Sequence, residues 1–140
     1  KSPEVYWVRQ RMEKTGVDFC LDVHGDEAIP HNFIAGPEGV PSFSKRQAKL
    51  LKNYKDALLQ ANPDFQLKHG YPANRPGKAN LKIGANWIAE RFGCLSMTLE
   101  MPFKDVDDGT EQRQGWSPAR SRALGRSNLD AIRAVLGNLR

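Results

Sequence analysis

Two residues stand where an α/β protein commonly does its chemistry. His24 directly follows a short, apolar and β-branched run at 17–23, and Glu100 closes a second such run at 94–100. Runs of that length and composition read as buried strands. In open α/β sheets the ligand crevice lies at the carboxyl ends of the strands. If the two strands are near neighbours and parallel, an imidazole and a carboxylate face one crevice. A neutral imidazole can ligate a metal, and a carboxylate held near water can accept a proton. Taken singly, each residue has a plainer account, as a hydrogen-bonded histidine or a salt-bridged strand end. Their matching positions are what point to function.

The elements needed to place this pair follow from local pattern. Ser2-Pro3-Glu4 is a helix start, with a capping hydroxyl, proline at the first helical position and a carboxylate in the first turn. Val5, Val8 and Met12 recur at helical spacing until Gly16. After the strand that ends at His24, residues 31–35 form a plausible second strand bounded by Pro30 and Gly36. Ser44 with Gln47 makes a capping box for a helix whose inner stripe is Leu51, Tyr54, Leu58 and Ala61, stopped by Asn62-Pro63. Residues 71–77 read as a loop, long enough to be a surface or active-site excursion. A helix is expected over 79–92, then the second apolar strand, then a polar, irregular stretch at 105–115. Ser117-Pro118 opens a last helix, with Leu129, Ile132, Leu136 and Leu139 expected to face inward. This order is α/β. Three strands are too few for so many helical faces, so they are expected to belong to a larger, mixed and mostly parallel sheet flanked by helices.

The 140 residues allow one domain at most, and a 39% hydrophobic, 26% charged composition is that of a soluble globular chain. No apolar run reaches the length of about 18 residues that a membrane helix needs, so no membrane partner is expected. The first residues have no signal-peptide pattern, and the abrupt start suggests a fragment boundary. Cys20 and Cys94 sit in apolar segments without a Cys-x-x-Cys or Cys/His framework. They read as free buried thiols in a reducing compartment, which favours the cytoplasm. Much of the net charge of +5 lies in Lys45, Arg46, Lys49, Lys52 and Lys55. That is the solvated face of an amphipathic helix. Without aromatic-basic interleaving or a recognised motif, no nucleic-acid partner is expected.

A family resemblance sharpens the chemistry. Asp22-Val23-His24-Gly25-Asp26-Glu27, followed by Pro30-His31-Asn32-Phe33, resembles the segment carrying the third zinc ligand in carboxypeptidases of the carboxypeptidase A family. It is closest to the cytosolic carboxypeptidase branch. Thr98-Leu99-Glu100, with Ser96 just before, resembles the segment holding that family's catalytic glutamate. The interval between them and the closing helix fit as well, so the likeness spans essentially all 140 residues. It implies that residues 1–140 are the C-terminal portion of a single zinc carboxypeptidase catalytic domain. His24 would be the metal ligand for one Zn²⁺ and Glu100 the catalytic base, acting on a peptide or protein C-terminus. The other two zinc ligands, from a His-x-x-Glu segment, and the groups that hold the substrate carboxylate lie upstream in such a domain. That N-terminal segment is a necessary partner, and the 140-residue chain alone is expected to be inactive. The substrate-binding residues stay unassigned.

Alternatives remain within the same residues. His24-Gly25-Asp26-Glu27 is itself His-x-x-Glu, so His24 and Glu27 with His31 or His69 form a rival ligand set. Otherwise Asp26, Glu27 and His31 would orient His24, with Asp26 a candidate for its second ring nitrogen. Tyr71 lies where the family places a mobile substrate-capping tyrosine. Arg75, Lys78 and Lys82 could line the specificity pocket and favour an acidic C-terminal side chain. A non-catalytic α/β module that binds peptides or a partner protein is the alternative to an enzyme.

Overall fold

A computed structural model describes residues 2–103 and 115–139. Its elements are α1 (Pro3–Thr15), β1 (Phe19–Asp26), β2 (Phe33–Ala35), α2 (Lys45–Ala61), α3 (Gly84–Phe92), β3 (Leu95–Pro102), α4 (Pro118–Val135) and a closing 3₁₀ turn (Leu136–Asn138). This is the order expected from sequence. The polar stretch expected at 105–115 falls almost wholly outside the described residues.

The three strands form one mixed sheet in the order β1-β3-β2, with β3 parallel to β1 and antiparallel to β2. Strand alternation gives the sheet two different faces. Phe19 and Leu21 of β1, Leu95, Met97 and Leu99 of β3 and Ile34 of β2 point to one side, where α2 and α4 cover them. α2 contributes Leu50, Leu51, Tyr54 and Leu58, and α4 contributes Leu124, Ala131 and Val135. The other face carries Ser96, Thr98 and Glu100, flanked by Cys20, Asp22 and His24 on β1.

The caps explain where the helices sit. Ser44 Oγ accepts from Gln47 N at 3.1 Å while Gln47 Oε1 accepts from Ser44 N at 2.9 Å, closing the expected capping box. Gln47 is buried, and its amide also donates to the carbonyls of Ala89 and Cys94 at 3.3 and 3.2 Å. One residue thus starts α2 and ties it to the α3–β3 junction. Ser117 caps α4, accepting from Arg120 N at 3.3 Å. Ser2 precedes α1 without a side-chain cap.

Several expectations need correction. β1 continues past His24 to Asp26, because pairing with β3 persists to Pro102. α3 begins at Gly84 rather than near residue 79. Ala61, the last residue of α2, is exposed. On α4 the inward stripe is Leu124, Ala131 and Val135; of the four residues expected to face inward, Ile132 packs against the core and Leu139 is buried in it, whereas Leu129 and Leu136 are 67% and 61% exposed. Small Ala131 and polar Ser127 and Asn128 let α4 approach α2 closely. Asn128 Oδ1 accepts from the Tyr54 hydroxyl at 2.5 Å, and Ser127 Oγ donates to Ala61 O at 3.1 Å. Apolar periodicity alone selects the larger leucines and misses that polar contact.

Candidate active site

The site is built at the carboxyl end of the polar face. His24 on β1 is the direct register partner of Glu100 on β3, and Phe33 on β2 is its partner on the other side. Paired residues on adjacent strands share a face, so the imidazole, the carboxylate and the Phe33 ring stand in one row. The structure therefore brings together the two residues singled out by sequence.

Their environments differ. Glu100 is buried, and its Oε2 has no hydrogen-bond partner among the described residues. Burial raises its pKa above the usual carboxylate range. His24 opposes that shift, and the nearby carboxylates of Asp26, Asp22 and Glu27 add to it. His24 is half-exposed, with Nε2 lying 3.1 Å from Asp22 Oδ1. A hydrogen bond there would fix the tautomer that leaves the lone pair on Nδ1.

Asp26, expected as the orienting group for His24, does something else. Its Oδ1 accepts from the backbone amides of Ala28 and Ile29 at 2.8 and 2.5 Å, shaping the turn after β1. Its Oδ2 accepts from the Tyr71 hydroxyl. That hydrogen bond, with burial adding to it, holds the phenol well above its ordinary pKa. The Tyr71 ring also meets Phe33 edge-to-face at 4.9 Å. Asp22 and Asp26 each lie two residues from His24 on β1, but both oxygens of Asp26 are engaged by the turn amides and Tyr71, and it is Asp22 that lies beside the imidazole. Gly25 lies against Phe103, whose ring would overlap any Cβ at that position.

The rival ligand set does not assemble. Among the described residues no group of three or more His, Cys, Asp or Glu side chains could hold a metal ion. His31 stacks on His69 with centroids 4.1 Å apart, and Glu27 is exposed. Neither thiol competes as a nucleophile. Cys20 and Cys94 are free, and burial raises both, Cys94 to about 11, the opposite of activation.

Glu100 also lines a pocket of about 180 Å³. Its walls come from Ala35 and Thr98 of the sheet, Ala85 at the start of α3, and the 71–74 loop. The excursion expected at 71–77 therefore does reach the site, through Tyr71 and Asn74. Arg75, Lys78 and Lys82 do not line this pocket and are exposed. The charged residues that do, besides Glu100, are Glu38 and Lys55, and sequence reasoning missed the pair as a site. In the sequence Lys55 belongs to the basic face of α2 and Glu38 to a loop. Their positions, 17 residues apart, carry no motif.

No family model matches the sequence. A metallo-carboxypeptidase from Pseudomonas aeruginosa, solved in complex with (2-guanidinoethylmercapto)succinic acid, is 45% identical with a TM-score of 0.94. The match covers 100% of this chain and 37% of that one. A metallo-carboxypeptidase from Burkholderia cenocepacia is 45% identical with a TM-score of 0.87, covering 94% of this chain and 35% of that one. The fold is carboxypeptidase-like. An uncharacterized protein of Zymomonas mobilis is 52% identical over 139 residues, which is 99% of this chain and 37% of that protein. The chain spans little more than a third of the length of these relatives. Among its described residues no helix is long and apolar enough to cross a membrane.

Proposed function

We propose that this chain carries part of the active site of a zinc-dependent metallocarboxypeptidase, which removes C-terminal residues from peptides or proteins. The observation that carries this reading is the His24–Glu100 pairing at the carboxyl ends of two parallel strands, in a chain 45% identical to metallo-carboxypeptidases. The likeness to the cytosolic branch of the family supports placing the protein in the cytoplasm, where two free cysteines are at home. In this reading residues 1–140 form the C-terminal portion of one catalytic domain, and two further zinc ligands come from the preceding segment.

The residues present suit that role. His24 offers one imidazole, beside Asp22, and Glu100 Oε2 is a buried acceptor with no donor among the described residues. Zinc held beside them would supply the positive charge that polarises water and the scissile carbonyl. Glu100 takes a proton from the attacking water and passes it to the leaving amine. Its pKa, raised by burial, makes Glu100 a stronger acceptor for the water proton than an ordinary carboxylate. In this reading Tyr71, which donates to Asp26 and lines the pocket, would close over a substrate. A succinic acid derivative bound to the Pseudomonas aeruginosa protein supports a ligand that presents a carboxylate.

The test is a Glu100→Gln substitution in the full-length protein, with metal content and peptide hydrolysis measured together. Zinc should stay bound while turnover falls by roughly 10²- to 10⁴-fold, the usual contribution of a general base. Near-normal turnover would remove Glu100 from the role. Peptide binding without hydrolysis by the unaltered protein would favour a non-catalytic binding module. The 140-residue chain by itself should be inactive.

A further inference from the structure

We propose that Asp26 is a positioning residue for Tyr71. It accepts the phenol's only hydrogen, so Tyr71 meets a substrate as an acceptor of backbone N–H groups, not as a donor to the substrate carboxylate. The proposal rests on the peptidase reading above and adds the polarity of one contact to it.

Asp26 is buried, and its orientation is fixed from two sides. The amides of Ala28 and Ile29 hold Oδ1, which leaves Oδ2 to the Tyr71 hydroxyl. A carboxylate only accepts, so the hydrogen between them is the phenol's. The same hydrogen bond, with burial and the charge of Glu100 behind it, keeps the phenol protonated. Tyr71 is moored too. Gln66 Nε2 donates to the carbonyls of Asn32 and His69 at 2.7 and 3.0 Å, and Gln66 Oε1 accepts from His69 N at 2.6 Å. Gly70 then lies against the Phe33 ring, which would be 3.1 Å from a Cβ at that position, and the Tyr71 ring meets the same Phe33 edge-to-face.

A tyrosine hydroxyl has one hydrogen to give and lone pairs with which to receive. With the hydrogen committed to Asp26, an acceptor is what Tyr71 still offers to the pocket it lines with Glu100. Turning the hydroxyl to a substrate carboxylate would exchange one carboxylate for another and take a donor away from a buried residue. A peptide N–H adds a hydrogen bond and breaks none.

The experiment uses full-length, zinc-loaded protein and a peptide whose backbone N–H groups are replaced one at a time by ester oxygen, the scissile bond being left intact. At one position the replacement should lower kcat/KM by roughly two- to ten-fold, the range of a hydrogen bond between neutral groups. Tyr71→Phe should abolish that loss. Asp26→Asn should abolish or reverse it. The turn amides of Ala28 and Ile29 require the side-chain carbonyl, so the side-chain NH2 faces the phenol, donates to its oxygen and releases its hydrogen toward the ester. Metal content and melting are measured alongside. Nitration by tetranitromethane, which attacks the phenolate, tests the Asp26 bond without any variant. Tyr71 should react more slowly than free tyrosine amide by at least about ten-fold, as its raised pKa requires. The proposal is overturned by an active enzyme with no discriminating position, or by Tyr71 nitrated as fast as the free amide. It is equally overturned by a loss that survives Tyr71→Phe, or that survives Asp26→Asn in folded, zinc-loaded protein. The two readings fail separately. A protein that binds these peptides without cleaving them loses the peptidase reading, and the same ratios, read as dissociation constants, still test Asp26. Hydrolysis without a discriminating position does the reverse.

Discussion

The two faces of β3 are made by the same eight residues and are used in opposite ways. Leu95, Met97 and Leu99 face α2 and α4 and are buried among side chains that match them. Ser96, Thr98 and Glu100 face the other way and are also buried, yet Glu100 Oε2 has no hydrogen-bond partner among the described residues. Buried polar atoms are nearly always paired, so an unpaired carboxylate is a cost the fold tolerates. The comparison teaches that burial alone does not separate core from site. What separates them is whether each buried group is satisfied by the protein itself.

Substitutions can break this contrast in a graded series. The largest effect expected is on catalysis, from Glu100→Gln as above, and in zinc-free protein the same variant should be more stable than the parent at neutral pH. The sign follows from the raised folded-state pKa of Glu100. Ionising it opposes folding, so the penalty is full above the raised value and absent once the group is protonated in folded and unfolded chains alike. The stability gain of Glu100→Gln should therefore vanish on the acid side of the ordinary glutamate range. Urea unfolding at several pH values checks it, and a gain that grows in acid would contradict it.

On the packed side, Arg120 forks onto Asp64 with nitrogen–oxygen distances of 2.7 and 3.0 Å, each side chain 9% exposed. Arg120→Met leaves that carboxylate stranded and should cost about 3–5 kcal/mol in denaturant unfolding. Met97→Ala, on the core face of β3, should cost about 2–5 kcal/mol through the cavity it opens. Tyr54→Phe deletes the hydroxyl that donates to Asn128 and should cost about 1–3 kcal/mol. The smallest change is expected far from both faces. Trp7 on α1 is 67% exposed, so Trp7→Ala should stay within about 0.5 kcal/mol if that surface stands alone. A larger loss in the complete protein would show that other parts of it pack against α1.

Much of this was legible in the residues themselves. The strand ending in Asp22-Val23-His24, the strand ending in Glu100, the Ser44–Gln47 box and the Pro118 helix start all declare themselves within a few positions, because capping and strand burial are local. The end of β1 and part of the inward stripe of α4, Leu124, Ala131 and Val135 in place of Leu129 and Leu136, did not. They depend on the partner, on how far β3 pairs and on where Tyr54 needs Asn128.

The sequence by itself determined the class of fold and the two residues most worth testing, since each is marked by its place at the end of an apolar run. Only the tertiary structure decided that His24 and Glu100 share a register and a face, and that Asp22 rather than Asp26 lies beside the imidazole. It alone brought Glu38 and Lys55 to the pocket. The physical reason is that a run of residues sets its own pattern of burial, whereas contact between distant side chains depends on strand pairing and loop closure.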